Sequence, residues 1–432
     1  MQQRIRGRRR ASLFTGAGLA AVSLASLTIA NVVPAEASNL PPGNTIIIGS
    51  GSQTAYSLLV AESTLFNQFQ GCPEVATGSQ TQSLSFNCAD GSDGVGLPAN
   101  EGENPLNDVA LQEPPLGGTN GLKQLEQQVT VAPGTTPISY ASTVRNPLPT
   151  DPTGLNFVNY ALDGVSWFHF TEVNGVATPS AKITNLTIPE LANIWNGTYT
   201  NWDQIPGVHV NAPIALYVTN SGSGLLSLWN AYLGENTQSY VLSQPDAATH
   251  VIEQNEDASI IANGDEANAI FFFSHGRFVQ SCKHVCGGTS VPGPGTSTAK
   301  LGSINKEAPT SANILSGAFP TDVFLSNVYS DGSNSTIPAT NQATLNFASE
   351  DGFLCKPQLD SSSADIIDPN TGRWVHNEIN AAINTEGFIP MALGGEGTVA
   401  NPASLSSPYS AYDSSGTNPQ GYCRVTTTDG NA

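Results

Sequence analysis

Residues 44–69 read NTIIIGSGSQTAYSLLVAESTLFNQF. The opening NTIII is a short, apolar, β-branched run of strand type. The Gly/Ser cluster GSGSQT breaks it, and from Ala55 the apolar residues return at helical spacing. Strand, glycine turn and helix in this order set residues 50–55 at a helix N-terminus. The first N–H groups of a helix have no intrahelical partner, and the helix dipole is positive there. Such a turn can hold an anion.

The same unit recurs along the chain. DVALQEPP (108–115) is a strand and GGTNGLKQLEQQ (117–128) a glycine turn entering a short helix. PIALYVT (213–219) leads into NSGSGLLSLW (220–229), whose helix should stop at Gly234. PISYAS, ANAIFFFS and FIPMAL read as further strands, and LNFVNYALDGVSWFHF (155–170) as a long one. In LTIPELANIWNG (186–197), Thr187 and Glu190 are spaced as a capping box, Leu186 and Leu191 as a hydrophobic staple, and Gly197 as a stop. NTGRWVHNEINAAINTEG (370–387) is a helix with a glycine stop. Strands alternating with helices give an α/β architecture. Residues 287–318, rich in Gly, Pro, Ser and Thr, read as a surface loop insertion. No internal repeat is visible.

The N-terminus carries a basic RIRGRRR, an apolar stretch and the small-residue site AEA, so residues 1–37 read as a cleavable signal peptide. No cysteine follows the apolar stretch to accept a lipid, and no later segment reaches the ~20 apolar residues of a membrane span. A secreted or extracytoplasmic protein is expected. Formal net charge is −20, and removing the basic leader deepens it. Nucleic acid is thereby excluded as a partner, because nothing basic neutralises phosphates in series. The six cysteines are an even number in an oxidising compartment. Sequence alone allows many pairings; neighbourhood suggests Cys72–Cys88, Cys282–Cys286 and Cys355–Cys423, the last tying down a tail with little to bury. A metal site at Cys282, His284 and Cys286 is the rival for CKHVC, but no fourth ligand is evident.

Taken together, these segments resemble the phosphate-binding proteins of ABC importers, the PstS-like branch of the type II periplasmic binding proteins, from about residue 44 to 424. IIIGSGSQTAYSLL resembles the first ligand loop, GGTNGLKQL the second, YASTVRNPL the third and NSGSGLL the fourth. LTIPELANIWNGTYTNWDQIPG is the most specific match. The resemblance implies a two-lobed clamp, each lobe a mixed sheet flanked by helices. Lobe 1 would comprise 44–157 plus 274–432 and lobe 2 160–272. Two interlobe crossings would lie near FVNYALDG and FFFSHGRF. It also implies ligand contacts at Ser52, Gln53, Thr54 and Ala55, at Thr119, Asn120 and Gly121, at Thr143 and Arg145, and at Gly222, Ser223 and Gly224.

Four positions depart from that pattern. Leu225 and Leu226 stand where donors are expected, and Thr219 where many members have an arginine. Arg145 replaces an acidic proton acceptor, making it the main positive charge of the site. SWFHF (166–170) reads as core strand rather than as an aromatic grip. Enzyme motifs are thin: STAK and SINK match S-x-x-K without S-D-N or K-T-G partners, and there is no G-x-S-x-G, H-E-x-x-H or P-loop. The expected function is a non-catalytic, monomeric solute-binding protein, taking a small oxyanion, phosphate first, for ABC-type import with a permease partner. No cofactor or metal is implied. The competing reading is an extracellular clamp-fold binding or adhesion protein with an altered, non-phosphate ligand.

Overall fold

The computed structural model describes residues 46–69, 74–75, 85–86, 109–113, 116–131, 136–284, 297–355, 375–391 and 423–428. The chain begins there with strand β1 (Ile46–Gly51) and helix α1 (Tyr56–Phe69). Strand β2 (Val109–Gln112) and helix α2 (Gly118–Glu126) repeat the unit, followed by β3 (Tyr140–Thr143). β1 pairs in parallel with both β2 and β3. Parallel strands are covered on both faces, so their sequences are continuous apolar runs; Ile47 and Ile48 are both buried.

Strand β4 (Leu155–Val173) is 19 residues long and buried over most of its length. Trp167 and Phe168 lie in its core, as the strand reading of SWFHF expects. Helix α3 (Ile188–Trp195) starts on the expected capping box: Thr187 N–H donates to Glu190 Oε2 at 2.7 Å, and Glu190 N–H to Thr187 Oγ1 at 3.3 Å. PIALYVT forms two short pieces, β5 (Ala215–Leu216) and β6 (Val218–Thr219), rather than one strand. Helix α4 (Gly224–Leu233) follows, closed by Gly234 in the left-handed conformation. Next come β7 (Val251–Ile252), β8 (Ala269–Ser274) and helix α5 (His275–His284). The described chain continues with β9 (Ser297–Leu301), β10 (Asp322–Ser330), α6 (Val375–Thr385), β11 (Ile389–Pro390) and β12 (Arg424–Thr427).

The described residues form an eleven-stranded mixed sheet flanked by helices, with path β5-β8-β4-β10-β3-β1-β2. β4 belongs to both halves of it. Its first half pairs antiparallel with β10, ending at Asp322↔Gly164, and also with β11 and β12. Its second half pairs with β8, beginning at Ser274↔Val165, and with β9. Trp195 of α3, Trp229 of α4 and Phe272 of β8 pack together, with Trp195–Trp229 ring centroids 5.3 Å apart and Trp229–Phe272 5.5 Å. Leu225 and Leu226 are buried in this core, which accounts for leucines in place of donors.

The expected surface loop at 287–318 is corrected from residue 297 onward. Ser297–Leu301 pairs along β4 with alternating exposure, and Ile304 and Ile314 are fully buried. The two-residue period of STAKL was hidden by the Gly/Pro/Ser run before it; residues 287–296 lie outside the described residues. The Cys355–Cys423 bridge is present, closing a separation of 68 residues and fixing β12. Cys72, Cys88 and Cys286, and the side chains of Cys282 and His284, lie outside the description, as does the leader. No helix among the described residues is long and apolar enough to cross a membrane.

Candidate functional site

Four chain turns meet at one end of β1 and β3. Ser52, Gln53, Thr54 and Ala55 form the turn from β1 into α1. Thr119, Asn120 and Gly121 form the first turn of α2. Thr143 ends β3 with Arg145 two residues on, and Gly222, Ser223 and Gly224 open α4. The approach is backbone to backbone. Gly117 has φ of 94°, and a Cβ there would collide with the Gly222 carbonyl. A Cβ on Gly118 would stand 2.7 Å from Thr143 Oγ1, and one on Gly224 would stand 3.5 Å from the same atom and 3.6 Å from Gly118 Cα. Gly121 abuts Ser50 and Gly51, so it serves close packing of α2 against β1.

Donors concentrate here. Helix α2 begins at Gly117 with no side-chain cap, leaving its first N–H groups to the turn itself. Two buried donor atoms on these turns have no hydrogen-bond partner: Thr119 Oγ1 and Arg145 Nε. On the turn between β1 and α1, Gln53 Oε1 is an unpartnered acceptor. Its orientation follows from the other end of the amide, because Gln53 Nε2 donates to the Glu253 carboxylate at 2.6 Å.

Other expected contacts are engaged within the chain. The Arg145 guanidinium forks the Asp151 carboxylate, 2.8 Å at each prong, and NH1 also donates to Asn146 O. Arg145 is therefore the positive half of a buried pair rather than a free charge. Ser52 Oγ accepts from Ala55 N–H, closing the turn before α1. Ser223 caps α4 by accepting from Leu226 N–H at 3.2 Å, and its hydroxyl donates to Gln254 Oε1. Thr54 Oγ1 accepts from Gln254 Nε2 at 3.0 Å and from Asn255 Nδ2 at 2.8 Å. Thr219 is fully buried, its carbonyl taken by Gln238. Asp151, Glu253, Gln254 and Asn255 were missed in the sequence. Only the polar run EQNED after an apolar pair signals the last three, with neither glycine nor helical period, and nothing local singles out Asp151.

Electrostatics around the site lean acidic. Burial pushes the Glu113 carboxyl up, and burial together with Glu113 pushes up the Tyr56 phenol. At the meeting of the two sheet halves, Asp163 is fully buried and raised to about 6 by burial. It accepts from Gly164 N–H and Gly276 N–H at 2.8 Å each and from the Ser274 hydroxyl. Arg277 reaches Ser57 Oγ at 2.8 Å and Gln280. Among the described residues no group of three or more His, Cys, Asp or Glu is set to hold a metal.

No protein-family model matches the sequence, and no curated protein matches it. Solved structures do. A Clostridium perfringens protein solved with bound phosphate aligns at 13% identity and TM-score 0.46, over 80% of this chain and 99% of that one. PstS from Borrelia burgdorferi aligns at 16% identity and TM-score 0.39, over 80% and 98%. An ABC-type phosphate transport receptor from Vibrio cholerae aligns at 17% identity and TM-score 0.42, over 66% of this chain and 88% of that one. Identities this low speak to neither ligand nor partner; among solved structures, what this mixed α/β chain is similar to is the phosphate-transport receptors.

Proposed function

We propose that this chain is an exported, non-catalytic solute-binding protein that takes a small oxyanion, phosphate first, where the four chain turns meet. The observation that carries the reading is the buried donor set. Thr119 Oγ1 and Arg145 Nε are unpartnered on turns that also present the uncapped start of α2. Leaving buried donors unpaired costs about 1–3 kcal/mol each, and an oxyanion offers the acceptors that remove that cost. Gln53 Oε1, an acceptor, suits an anion that still carries a proton, as phosphate does near neutral pH and sulfate does not.

The lobe division follows the same reading: 44–157 with 274–432 as one lobe, 160–272 as the other, and crossings at β4 and at β8 into α5. Delivery to an ABC permease, monomeric state and an extracytoplasmic location belong to this proposal. One observation favours the competing reading of a binding or adhesion protein with a different ligand: Asp151 neutralises Arg145. Calorimetry with phosphate, sulfate and a neutral sugar separates the two. Phosphate heat well above sulfate heat is expected. Heat from the sugar alone would overturn the oxyanion reading.

A further inference from the structure

Three consecutive side chains each tie the turn after β1 to another element. Glu253 accepts from Gln53 Nε2 at 2.6 Å and from Asn220 Nδ2 at 3.4 Å. Gln254 stands between Ser223 and Thr54. Asn255, at φ of 56°, donates to Thr54 and accepts at Oδ1 from Ser274 N–H at 2.8 Å. All three reach across about two hundred residues of sequence to the same turn.

Their effect on the two hydroxyls differs. A hydroxyl has one proton and two lone pairs. Thr54 Oγ1 receives N–H bonds from both Gln254 and Asn255, so both its lone pairs are occupied. Asn255 cannot be turned around, because its oxygen is held by a backbone N–H that can only donate. The single hydrogen-bonding capacity left to Thr54 is its own proton. Ser223 is the reverse case: its proton goes to Gln254 Oε1 and one lone pair accepts from Leu226 N–H. Both hydroxyl groups are fully buried, so water does not compete for them.

We propose that Gln254 and Asn255 are positioning residues that make the Thr54 hydroxyl an obligate donor to the bound oxyanion, while Gln254 withdraws Ser223 from the donor set. The proposal rests on the oxyanion reading above. It assigns the hydroxyl contribution to one side of the cradle, and it explains why a glutamine and an asparagine, rather than acids, occupy consecutive positions. A carboxylate at 255 would accept the Thr54 proton and turn it away from the ligand.

The test is a cycle of calorimetric titrations with inorganic phosphate, with the thermal midpoint of each variant recorded. Thr54→Val should weaken phosphate binding roughly ten- to a hundredfold, the worth of a hydrogen bond to a charged group. Asn255→Ala should weaken it roughly tenfold in the unsubstituted background and not at all in the Thr54→Val background. A purely structural role would not vanish in that way. Asn255→Asp should cost more than Asn255→Ala. Ser223→Ala should lower the thermal midpoint through the lost helix cap and weaken phosphate binding less than Thr54→Val does. The proposal is overturned if Asn255→Ala costs as much with valine at 54 as with threonine, or if Ser223→Ala loses as much affinity as Thr54→Val. Absence of heat with the unsubstituted chain would instead overturn the oxyanion reading, and the donor assignment with it.

Discussion

Arg145 and Asp151 form a two-pronged ion pair with both side chains nearly closed to solvent, 5% and 7% exposed. Asp151 Oδ2 also accepts from Leu148 N–H at 2.8 Å, so the carboxylate is held from two sides. Removing one partner of such a pair leaves the other charged and buried, a loss of about 3–5 kcal/mol. Arg145→Ala should therefore show a large fall in folding stability by urea denaturation, beyond any loss of anion binding. Asp151→Asn should unmask the guanidinium and raise phosphate affinity roughly tenfold, about 1.4 kcal/mol. Unchanged or weaker phosphate binding by Asp151→Asn would show that the Arg145 charge does not reach the ligand.

Gly117→Ala carries two penalties. Its φ of 94° disfavours any side chain, and the added carbon meets the Gly222 carbonyl. Gly175 is a matched control, with φ of 76° and open space around it. Gly175→Ala should cost about 1 kcal/mol of stability and leave phosphate binding intact. Gly117→Ala should cost more and push α2 away from α4, with a clear loss of phosphate affinity in the same titration. Equal behaviour of the two variants would remove the close approach from the site.

The Cys355–Cys423 bridge anchors β12, which pairs along Asn156–Asn159 of β4. Replacing both cysteines by serine should destabilise the fold by about 2–5 kcal/mol. Hydrogen exchange should rise first at Arg424–Thr427. Thiol titration of the denatured, unreduced protein should find neither of these two cysteines reactive, with peptide mapping to locate any that are.

Asp163 predicts a pH dependence of defined sign. Burial raises its carboxyl to about 6 against an ordinary 3.8, more than the hydrogen bonds from Ser274, Gly276 and Gly164 and the nearby Arg277 lower it. The folded state therefore holds this proton more tightly than the unfolded chain. The penalty is fully present above about pH 6 and disappears as pH falls below about 4, a gain of about 3 kcal/mol on acidification. Glu62, Glu113 and Asp257 are raised by burial in the same direction, so the comparison must be with Asp163→Asn. That variant should flatten the difference in stability between pH 7 and pH 4. A profile parallel to the unsubstituted protein's would show that Asp163 is ionised throughout.

The strand–glycine–helix units were legible because each is set by neighbours in sequence: a β-branched run, a turn residue and a helical period. The capping box at Thr187 and Glu190 was legible for the same reason, and the bridge to Cys423 from the poverty of the tail it fixes. Glu253, Gln254 and Asn255 were not legible. Their partners on the turn after β1 lie about two hundred residues away, and polar side chains between elements carry no period. Arg145 was found as a residue but not as a pair, since nothing local distinguishes Asp151 from any other loop aspartate. β9 was missed because five alternating residues follow a run whose composition reads as loop.

β4 passes unbroken from one half of the sheet into the other, changing partners between Gly164 and Val165. A rotation of the halves about one another cannot then be absorbed by a slack connector. It must be taken up as torsion along a 19-residue strand whose flanking ladders resist it. Any such displacement would be spread over many backbone angles of the strand, in the manner of a torsion bar, rather than concentrated at one joint.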